Sequence, residues 1–233
     1  MTKRRLPQVP ESTNIDVTEL AAFDFMQSRI RGAKEAKIGN IDGEAYGVSY
    51  FRALANTPII GEALGRLGQA AMEIPGRPGT LSAADHELAD AVIAFDSGYL
   101  WLLAGHAPLA IKAGVRLEAL EALRSGSEAD LTEDEVQQVE FIRAVRDGKV
   151  SQDIWDRMVL RLGSERGVIE YAFFVLLVQL NHLLANAMGV PNMTDEELNT
   201  LFDKLGEGTE GSYAEYARLY GDAAFRIEGK KDG

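Results

Sequence analysis

The fold is decided by the stretch Leu81-Ser-Ala-Ala-Asp-His-Glu-Leu-Ala-Asp-Ala-Val-Ile-Ala-Phe-Asp-Ser-Gly98, which contains a helix start, an apolar face and a helix end. Ser82 and Asp85 have the spacing of a capping box, in which each side chain bonds the backbone N–H of the other residue. Gly98 is a plausible helix terminator because glycine adopts the left-handed conformation that often ends a helix. The predicted buried face of this helix consists of Leu88, Ala91, Val92 and Phe95.

The terminator lies almost midway between an acidic residue and a histidine, Glu87 and His106. On one continuous helix these two residues would lie about 28 Å apart. A chain reversal at 96–98 would instead fold two arms of nearly equal length against each other and place Glu87 opposite His106. A carboxylate that holds one imidazole nitrogen leaves the other available, and this arrangement is a general acid/base unit.

The rest of the chain predicts an all-α fold, because apolar residues recur at close to 3.6-residue spacing and no segment alternates like a strand. Two further capping boxes, Thr132 with Glu135 and Thr194 with Glu197, locate additional helix starts. We expect a compact helical bundle. One of its helices is expected to run through residues 50–72, with an inner stripe of Phe51, Leu54, Ile59, Ala63, Leu67 and Ala70.

A weak internal sequence repeat indicates that the fold contains two similar helical hairpins. Leu81-Ser-Ala-Ala-Asp resembles Leu131-Thr-Glu-Asp-Glu, at the start of an apolar helix in each case. His106-Ala-Pro-Leu-Ala-Ile-Lys-Ala-Gly-Val115 resembles His182-Leu-Leu-Ala-Asn-Ala-Met-Gly-Val190, with one residue fewer. Two copies do not make a solenoid, so the bundle remains the expectation.

The domain organisation is one large helical domain with additions at both ends. Residues 1–45 are expected to form an arm or an extra helix, with an amphipathic candidate from Asp16 to Arg31. The main domain is assigned to residues 46–228, and its last amphipathic helix to Tyr213–Phe225. Residues 229–233 are a charged tail.

Composition removes several classes of function. The 36 acidic residues outnumber the 24 basic ones, and the net charge of −12 disfavours nucleic acid and anionic membrane surfaces as partners. The chain has no cysteine, which excludes disulfides, thiolate metal sites and thiol catalysis. The uncharged stretch 171–194 is interrupted by polar residues and is interpreted as a buried helix. No secretion signal is visible, so the expected location is the cytoplasm.

A set of motifs begins with Asp85-His-Glu87-Leu88 and continues with His106, Ala110, Gly114 and Val115, then Glu118 and Leu120. This set resembles the carboxymuconolactone decarboxylase and alkyl hydroperoxidase D-like superfamily, over most of residues 50–191. The spacing from Glu87 to His106 matches that of the family. The resemblance implies an AhpD-like fold and a homo-oligomer, a trimer or a hexamer.

The resemblance also separates two branches of that superfamily. The peroxidase branch carries a Cys-x-x-Cys pair, and its two positions are Tyr99 and Leu102 in this chain. Thiol-dependent peroxidase activity is therefore excluded. The decarboxylase-like branch usually has a glutamate four residues before the histidine, and Leu102 departs from that pattern as well.

The leading functional hypothesis is a cofactor-independent lyase, similar to the decarboxylase-like branch, that acts on a small carboxylated or lactone-type product of aromatic or similar catabolism. Glu87 would orient His106, and His106 would transfer the proton. Tyr99 is a third candidate, because seven residues on a helix make about two turns and would put its hydroxyl on the same face as the histidine. By the same count Trp101 points elsewhere.

Further candidates would contact the substrate rather than move protons. Leu102 would make the pocket apolar. The resemblance places Asn181 and His182 at the same cavity or at a subunit contact, and pairing of buried polar groups across helices explains them equally well.

Two alternatives stay open at this point. The first is a non-catalytic member that binds a ligand or a partner, which Leu102 favours. The second is a hydrolase or dehydratase that uses the same acid/base pair. No metal or other cofactor is indicated, because no His/Asp/Glu cluster has the helical spacing of metal ligands. His86 is expected at the surface. Four arginines are expected on a solvated face: Arg143, Arg157, Arg161 and Arg166.

Overall fold

The computed structural model describes residues 9–36, 46–75 and 77–207, and it confirms the all-α prediction. The described ranges contain ten α-helices and no strand. The helices are α1 (Leu20–Ala36), α2 (Tyr46–Leu54), α3 (Pro58–Met72), α4 (Ala83–Ser97), α5 (Leu103–Ala113), α6 (Leu117–Ser125), α7 (Glu133–Arg146), α8 (Gln152–Leu162), α9 (Glu165–Met188) and α10 (Asp195–Glu207).

Helix α4 is the centre of the bundle. It packs against α5, α6, α7 and α9, and every residue from Asp85 to Ala94 is buried. A helix enclosed on all sides has no solvated face, so its polar side chains must find partners inside the protein. This enclosure positions the site described below.

The three predicted capping boxes are all present. Ser82 Oγ accepts a hydrogen bond from the Asp85 backbone N–H at 3.1 Å, and Asp85 Oδ2 accepts one from the Ser82 N–H at 2.7 Å. These bonds satisfy backbone donors that have no partner within the helix. The same reciprocal bonds join Thr132 with Glu135 and Thr194 with Glu197.

The predicted reversal between α4 and α5 is also confirmed. Helix α4 ends at Ser97, and Gly98 has a φ of 65°, in the left-handed region that glycine adopts without a steric penalty. The chain turns through the next few residues and begins α5 at Leu103. The two helices are therefore packed neighbours, as the spacing of their ionisable residues required.

The single helix expected over residues 50–72 is wrong. Helix α2 ends at Leu54 and α3 begins at Pro58. Proline lacks a backbone N–H and fits the first turn of a helix but not its interior. The break changes the helical phase, so Ile59 and Leu67, which were expected on the inner stripe, are exposed.

The extra helix expected near the N-terminus, α1, packs into the same hydrophobic core as the rest of the chain. Met26 and Ile30 are buried in that core, and α1 contacts α2 and α3. Two glycines of α3 permit the close approach: a Cβ at Gly61 or Gly65 would lie 2.8 Å from a side-chain atom of Met26 or Phe25, respectively. Residues 20–36 therefore contribute to the core.

Helix α9 is apolar on both faces. Its inner face includes Phe174 and Val178, which are buried. Its outer face carries five large apolar residues that are 38% to 60% exposed, so the prediction of a buried helix holds for one face only. By length and composition alone α9 could cross a membrane, and 44% of the relevant window is buried inside the protein. The outer residues are Ile169, Phe173, Leu176, Leu180 and Leu183.

Some predictions fall outside the described residues. They include the amphipathic helix Tyr213–Phe225, the tail 229–233 and the parts of the N-terminal segment at 1–8 and 37–45.

Candidate active site

The two arms around Gly98 bring Glu87 and His106 into contact. His106 Nδ1 lies 3.0 Å from Glu87 Oε2, and the Glu87 side chain is fully buried while His106 is 16% exposed. The contact predicted from the spacing is therefore present. Its origin is local: a capped helix, a glycine reversal and a second helix of similar length.

A second carboxylate at this contact was missed by the sequence reasoning. Asp90 Oδ2 lies 2.9 Å from the same nitrogen, His106 Nδ1, and Asp90 is buried one helical turn after Glu87. The sequence did contain a signal for this second carboxylate, because two acids three residues apart lie on the same side of a helix. It was overlooked because only one face of α4 was expected to be buried.

The ionisation of this group follows from burial opposed by ion pairing. Burial disfavours the charged imidazole, but the adjacent Asp90 and Glu87 carboxylates outweigh burial and raise the pKa of His106 well above its usual value. Burial likewise disfavours the charged form of Asp90, and His106 outweighs it and lowers the pKa of that carboxyl. The protein without a bound ion therefore favours the charged pair.

His86 is also part of this cluster, and its predicted surface position is wrong. The residue is 2% exposed, and its ring lies against Phe174 with the centroids 3.8 Å apart. Its Nδ1 lies 3.4 Å from Glu87 Oε1 and 3.9 Å from Asp90 Oδ2. The physical reason is the enclosure of α4, since even the first turns of this helix are covered by neighbours.

The cluster has the composition of a metal site. Three potential ligand atoms lie within 4.8 Å of one another, one each from His86, Glu87 and Asp90. His86 and Asp90 are four residues apart on one helix, which is a spacing that lets two side chains bind one metal ion. The prediction that no His/Asp/Glu cluster has such a spacing is therefore wrong. Among the described residues, these side chains together with His106 could hold a cation.

A cavity of about 150 Å³ opens beside the cluster. His86, Asp90 and His106 form its polar part, and Leu102 lines it, as the sequence predicted for an apolar pocket wall. An apolar cavity of this size accommodates a benzene-sized molecule. The aromatic lining consists of Tyr50, Phe51, Trp101 and Phe174, so the expectation that Trp101 points elsewhere is wrong.

Tyr99 is not among the residues that line this cavity. Its hydroxyl donates a hydrogen bond to the backbone carbonyl of Val190. The helical count that placed it above His106 does not apply, because α5 begins only at Leu103. The structure does not bring Tyr99 to the acid/base contact.

The two candidates on α9 have different surroundings. Asn181 lines the cavity, and its Oδ1 accepts a hydrogen bond from the Tyr50 hydroxyl at 2.8 Å. His182 does not line the cavity and is buried behind Trp101, with 6.2 Å between the ring centroids. It also lies 6.2 Å from the ring of Tyr99. Burial lowers the pKa of His182 to about 4, so its ring is neutral near neutral pH.

Two arginines depart from the sequence expectations. Arg161, expected on a solvated face, lies 2.7 Å from the buried Asp85 and 2.6 Å from Asp134, and it ties the start of α4 to α7 and α8. Hydrogen bonds to these carboxylates raise the pKa of Arg161 despite its burial. Arg29 of α1 lines the cavity, with its guanidinium 4.9 Å from the centre of the Phe51 ring. No pattern in the sequence pointed to Arg29.

Comparison of the chain with protein-family models, with curated proteins and with solved structures finds no match. The resemblance to the carboxymuconolactone decarboxylase and alkyl hydroperoxidase D-like superfamily stays a prediction from sequence motifs.

Proposed function

We propose that the chain is an enzyme of the lyase type that transfers a proton to or from a small, largely apolar molecule bound in the cavity beside His106. A single observation carries the proposal: His106 lines an aromatic cavity while its Nδ1 is held 3.0 Å from the buried Glu87 carboxylate. A positioned imidazole at the wall of a largely apolar pocket is a typical general acid or base.

The side chains have separate roles in this proposal. Glu87, which lies behind His106 and does not line the cavity, fixes the orientation of the ring, and Asp90 holds it from the next helical turn. In a decarboxylation the bond to the departing carboxylate breaks and carbon dioxide leaves. The electron pair stays on carbon, and His106 delivers the proton that carbon takes up. Water then restores the proton.

The cavity supports a substrate of limited size with an apolar body. Its aromatic walls suit a ring or an unsaturated chain, and two carboxylates at the cluster would repel a substrate anion placed beside them. Arg29 in the same lining offers a guanidinium for a substrate carboxylate. A small carboxylated or lactone-type molecule therefore fits with its anionic end toward Arg29 and its reacting carbon toward His106.

A non-catalytic binding protein is the second candidate, and Leu102 favours it. This residue lines the cavity at the position where the family resemblance would place a glutamate or a thiol. An apolar wall there adds affinity for an apolar ligand and no reactive group. A hydrolase or dehydratase that uses the same histidine is a third reading of the same geometry.

The experiment that tests the proposal combines products with binding. The full chain is incubated with a panel of small carboxylated lactones and enol esters, and products are identified by mass spectrometry. Ligand binding is followed by the fluorescence of Trp101 in a Trp155→Phe background, because the chain has only two tryptophans. Product formation that His106→Gln abolishes is the expected result. Binding without any product supports the second candidate, and neither product nor binding contradicts both.

We also propose that the chain forms a homo-oligomer, a trimer or a hexamer as the family resemblance implies, through the outer face of α9. The five exposed apolar residues follow one another at intervals of four, three, four and three residues, from Ile169 to Leu183. This is the spacing of a coiled-coil seam, in which identical helices pack well against one another. Residues 171–194 carry no charge, so contact between copies there brings no like charges together.

Light scattering on the full chain tests the oligomer. Leu176→Glu is expected to yield monomers, whereas Leu160→Glu, at an isolated exposed position on α8, leaves the assembly intact. A monomeric wild type contradicts the proposal. Binding of monomers to lipid vesicles instead would assign the same face to a membrane.

A further inference from the structure

We infer that His86, Glu87, Asp90 and His106 bind one divalent transition-metal ion, of the kind that zinc represents. The inference deepens the proposed function, since it concerns the same cavity and states what holds His106 in place. It rests on the ligand geometry and on the burial of the two carboxylates.

Each of the two imidazoles lies close to both carboxylates. His86 Nδ1 lies 3.4 and 3.9 Å from oxygens of Glu87 and Asp90, and His106 Nδ1 lies 3.0 and 2.9 Å from oxygens of the same two residues. Four ligands on zinc bonds of about 2.1 Å in a tetrahedron lie about 3.4 Å from one another. The centroids of the two imidazole rings lie 6.4 Å apart, so coordination of one ion by all four side chains requires the rings to turn toward each other.

The charges of the cluster are unbalanced without a cation. Glu87 Oε1 is buried and accepts no hydrogen bond from the described part of the chain. His106 Nδ1 carries at most one hydrogen, and two buried carboxylate oxygens lie within 3.0 Å of it. Buried charges are normally paired or coordinate a metal. A dication between two carboxylates and two neutral imidazoles makes the cluster neutral and gives every one of these atoms a partner.

The donor set indicates the class of ion. Two imidazoles with two carboxylates suit zinc, cobalt or ferrous iron, whereas calcium and magnesium prefer sites made of oxygen atoms alone. Three of the ligands lie on the enclosed helix α4, and Phe174 packs against the His86 ring. The ligands are therefore held by a rigid element, as a selective site requires.

The metal would bind His106 through Nδ1, the ring nitrogen that lies against the Glu87 carboxylate. A metal on Nδ1 takes the place of the hydrogen between Nδ1 and the Glu87 carboxylate. The Nε2 edge lies on the opposite side of the ring and keeps its N–H. With the metal bound, the ring can donate a hydrogen bond from Nε2 to a ligand in the cavity.

The inference is tested by titrating the chelator-treated full chain with zinc chloride in a calorimeter. We expect one equivalent to bind with a Kd in the micromolar range or below, and Co²⁺ to give the intense visible absorption of a four-coordinate site. Asp90→Asn and His86→Gln should each weaken zinc binding by about 100-fold or more. Asp203→Asn, which removes an exposed helical carboxylate on α10, should have no effect.

Two results would overturn the inference: no zinc binding by the wild type, or binding by both ligand variants as tight as that of Asp203→Asn. If a ligand variant does not fold by circular dichroism, the wild-type stoichiometry and the Co²⁺ spectrum still decide. The test is separate from that of the proposed function. Zinc binding without turnover supports the metal site and contradicts the enzyme, whereas turnover without zinc binding does the reverse.

Discussion

His106 and His182 occupy corresponding positions in the internal sequence repeat, yet the structure surrounds one with charged groups and the other with aromatic rings. His106 faces two carboxylates and lines a cavity, while His182 lies behind that cavity against two aromatic rings. The pKa of the first is raised, and burial lowers the pKa of the second to about 4. A similar local sequence therefore produced two different imidazoles.

The difference lies on the partner helix. Helix α4 presents Glu87 and Asp90 to His106, whereas the rings that pack beside His182 are those of Tyr99 and Trp101, which carry no charge. The chemistry of a buried histidine is thus set by the elements that pack on it, and its own flanking sequence says little about it. The following predictions test this comparison.

The largest effect is expected on turnover. His106→Gln should reduce the rate on any panel substrate by about 10²- to 10⁴-fold, because it removes the proton donor. His182→Gln should retain most of the rate, since this ring does not line the cavity. Steady-state kinetics on both variants, with folding checked by circular dichroism, gives the result. Equal losses would end the distinction between the two histidines.

The second effect concerns the stability of the fold at different pH values. A base whose pKa is about 4 in the folded state and about 6.5 in the unfolded state takes up protons mainly on unfolding between those values. Stability is therefore complete above pH 6.5 and falls as the pH drops toward 4. His182 should account for about 2 kcal/mol of the stability lost between pH 7 and 5.

The measurement compares urea unfolding of the wild type and His182→Gln at the two pH values. The variant should lose less stability between pH 7 and 5 than the wild type. An identical loss in both proteins would mean that His182 is not a neutral buried ring.

A tenfold effect is expected for Arg29, whose guanidinium lines the cavity beside His106. Arg29→Met should weaken binding of benzoate in the cavity by about tenfold, because the half-buried Arg29 guanidinium would pair with the carboxylate. Binding of benzamide, which has the same ring without the charge, serves as the control and should change little. Tryptophan fluorescence of the Trp155→Phe background reports both. Equal losses for the two ligands would assign Arg29 a structural role.

The smallest effect is expected for Tyr99, which the sequence placed with His106 and the structure places beside His182. Tyr99→Phe removes the hydrogen bond to the Val190 carbonyl and should cost about 1 kcal/mol of stability. Turnover should stay at the wild-type level. A thermal melt and a rate measurement on the same sample are sufficient, and a large drop in rate at unchanged stability would restore Tyr99 to the catalytic group.

The sequence predicted the part of the site that depends on local signals. A capping box, a glycine terminator and nearly equal arm lengths were enough to place Glu87 against His106, because each signal acts within a few residues. Asp90 and His86 were missed because their role depends on burial of α4 from every side, which is a property of the whole bundle.

The other wrong predictions arose either from packing between distant helices or from a local signal that was overlooked. The break at Pro58 was visible in the sequence and was overlooked. The start of α5 at Leu103 was not visible in the sequence, because no capping side chain marks it. The predicted positions of Tyr99 and Trp101 were wrong because they depended on where α5 begins. Arg29 enters the cavity only because α1 packs on the helices that follow it, which no local pattern reveals.

The complete enclosure of α4 has a consequence for hydrogen exchange. Amides in a helix covered on all sides exchange with solvent only when the surrounding helices separate, so those between Asp85 and Ala94 should be among the slowest of the chain. The two carboxylates that hold His106 are therefore carried by the segment that opens least often. A ligand can enter the cavity while α4 itself remains fixed.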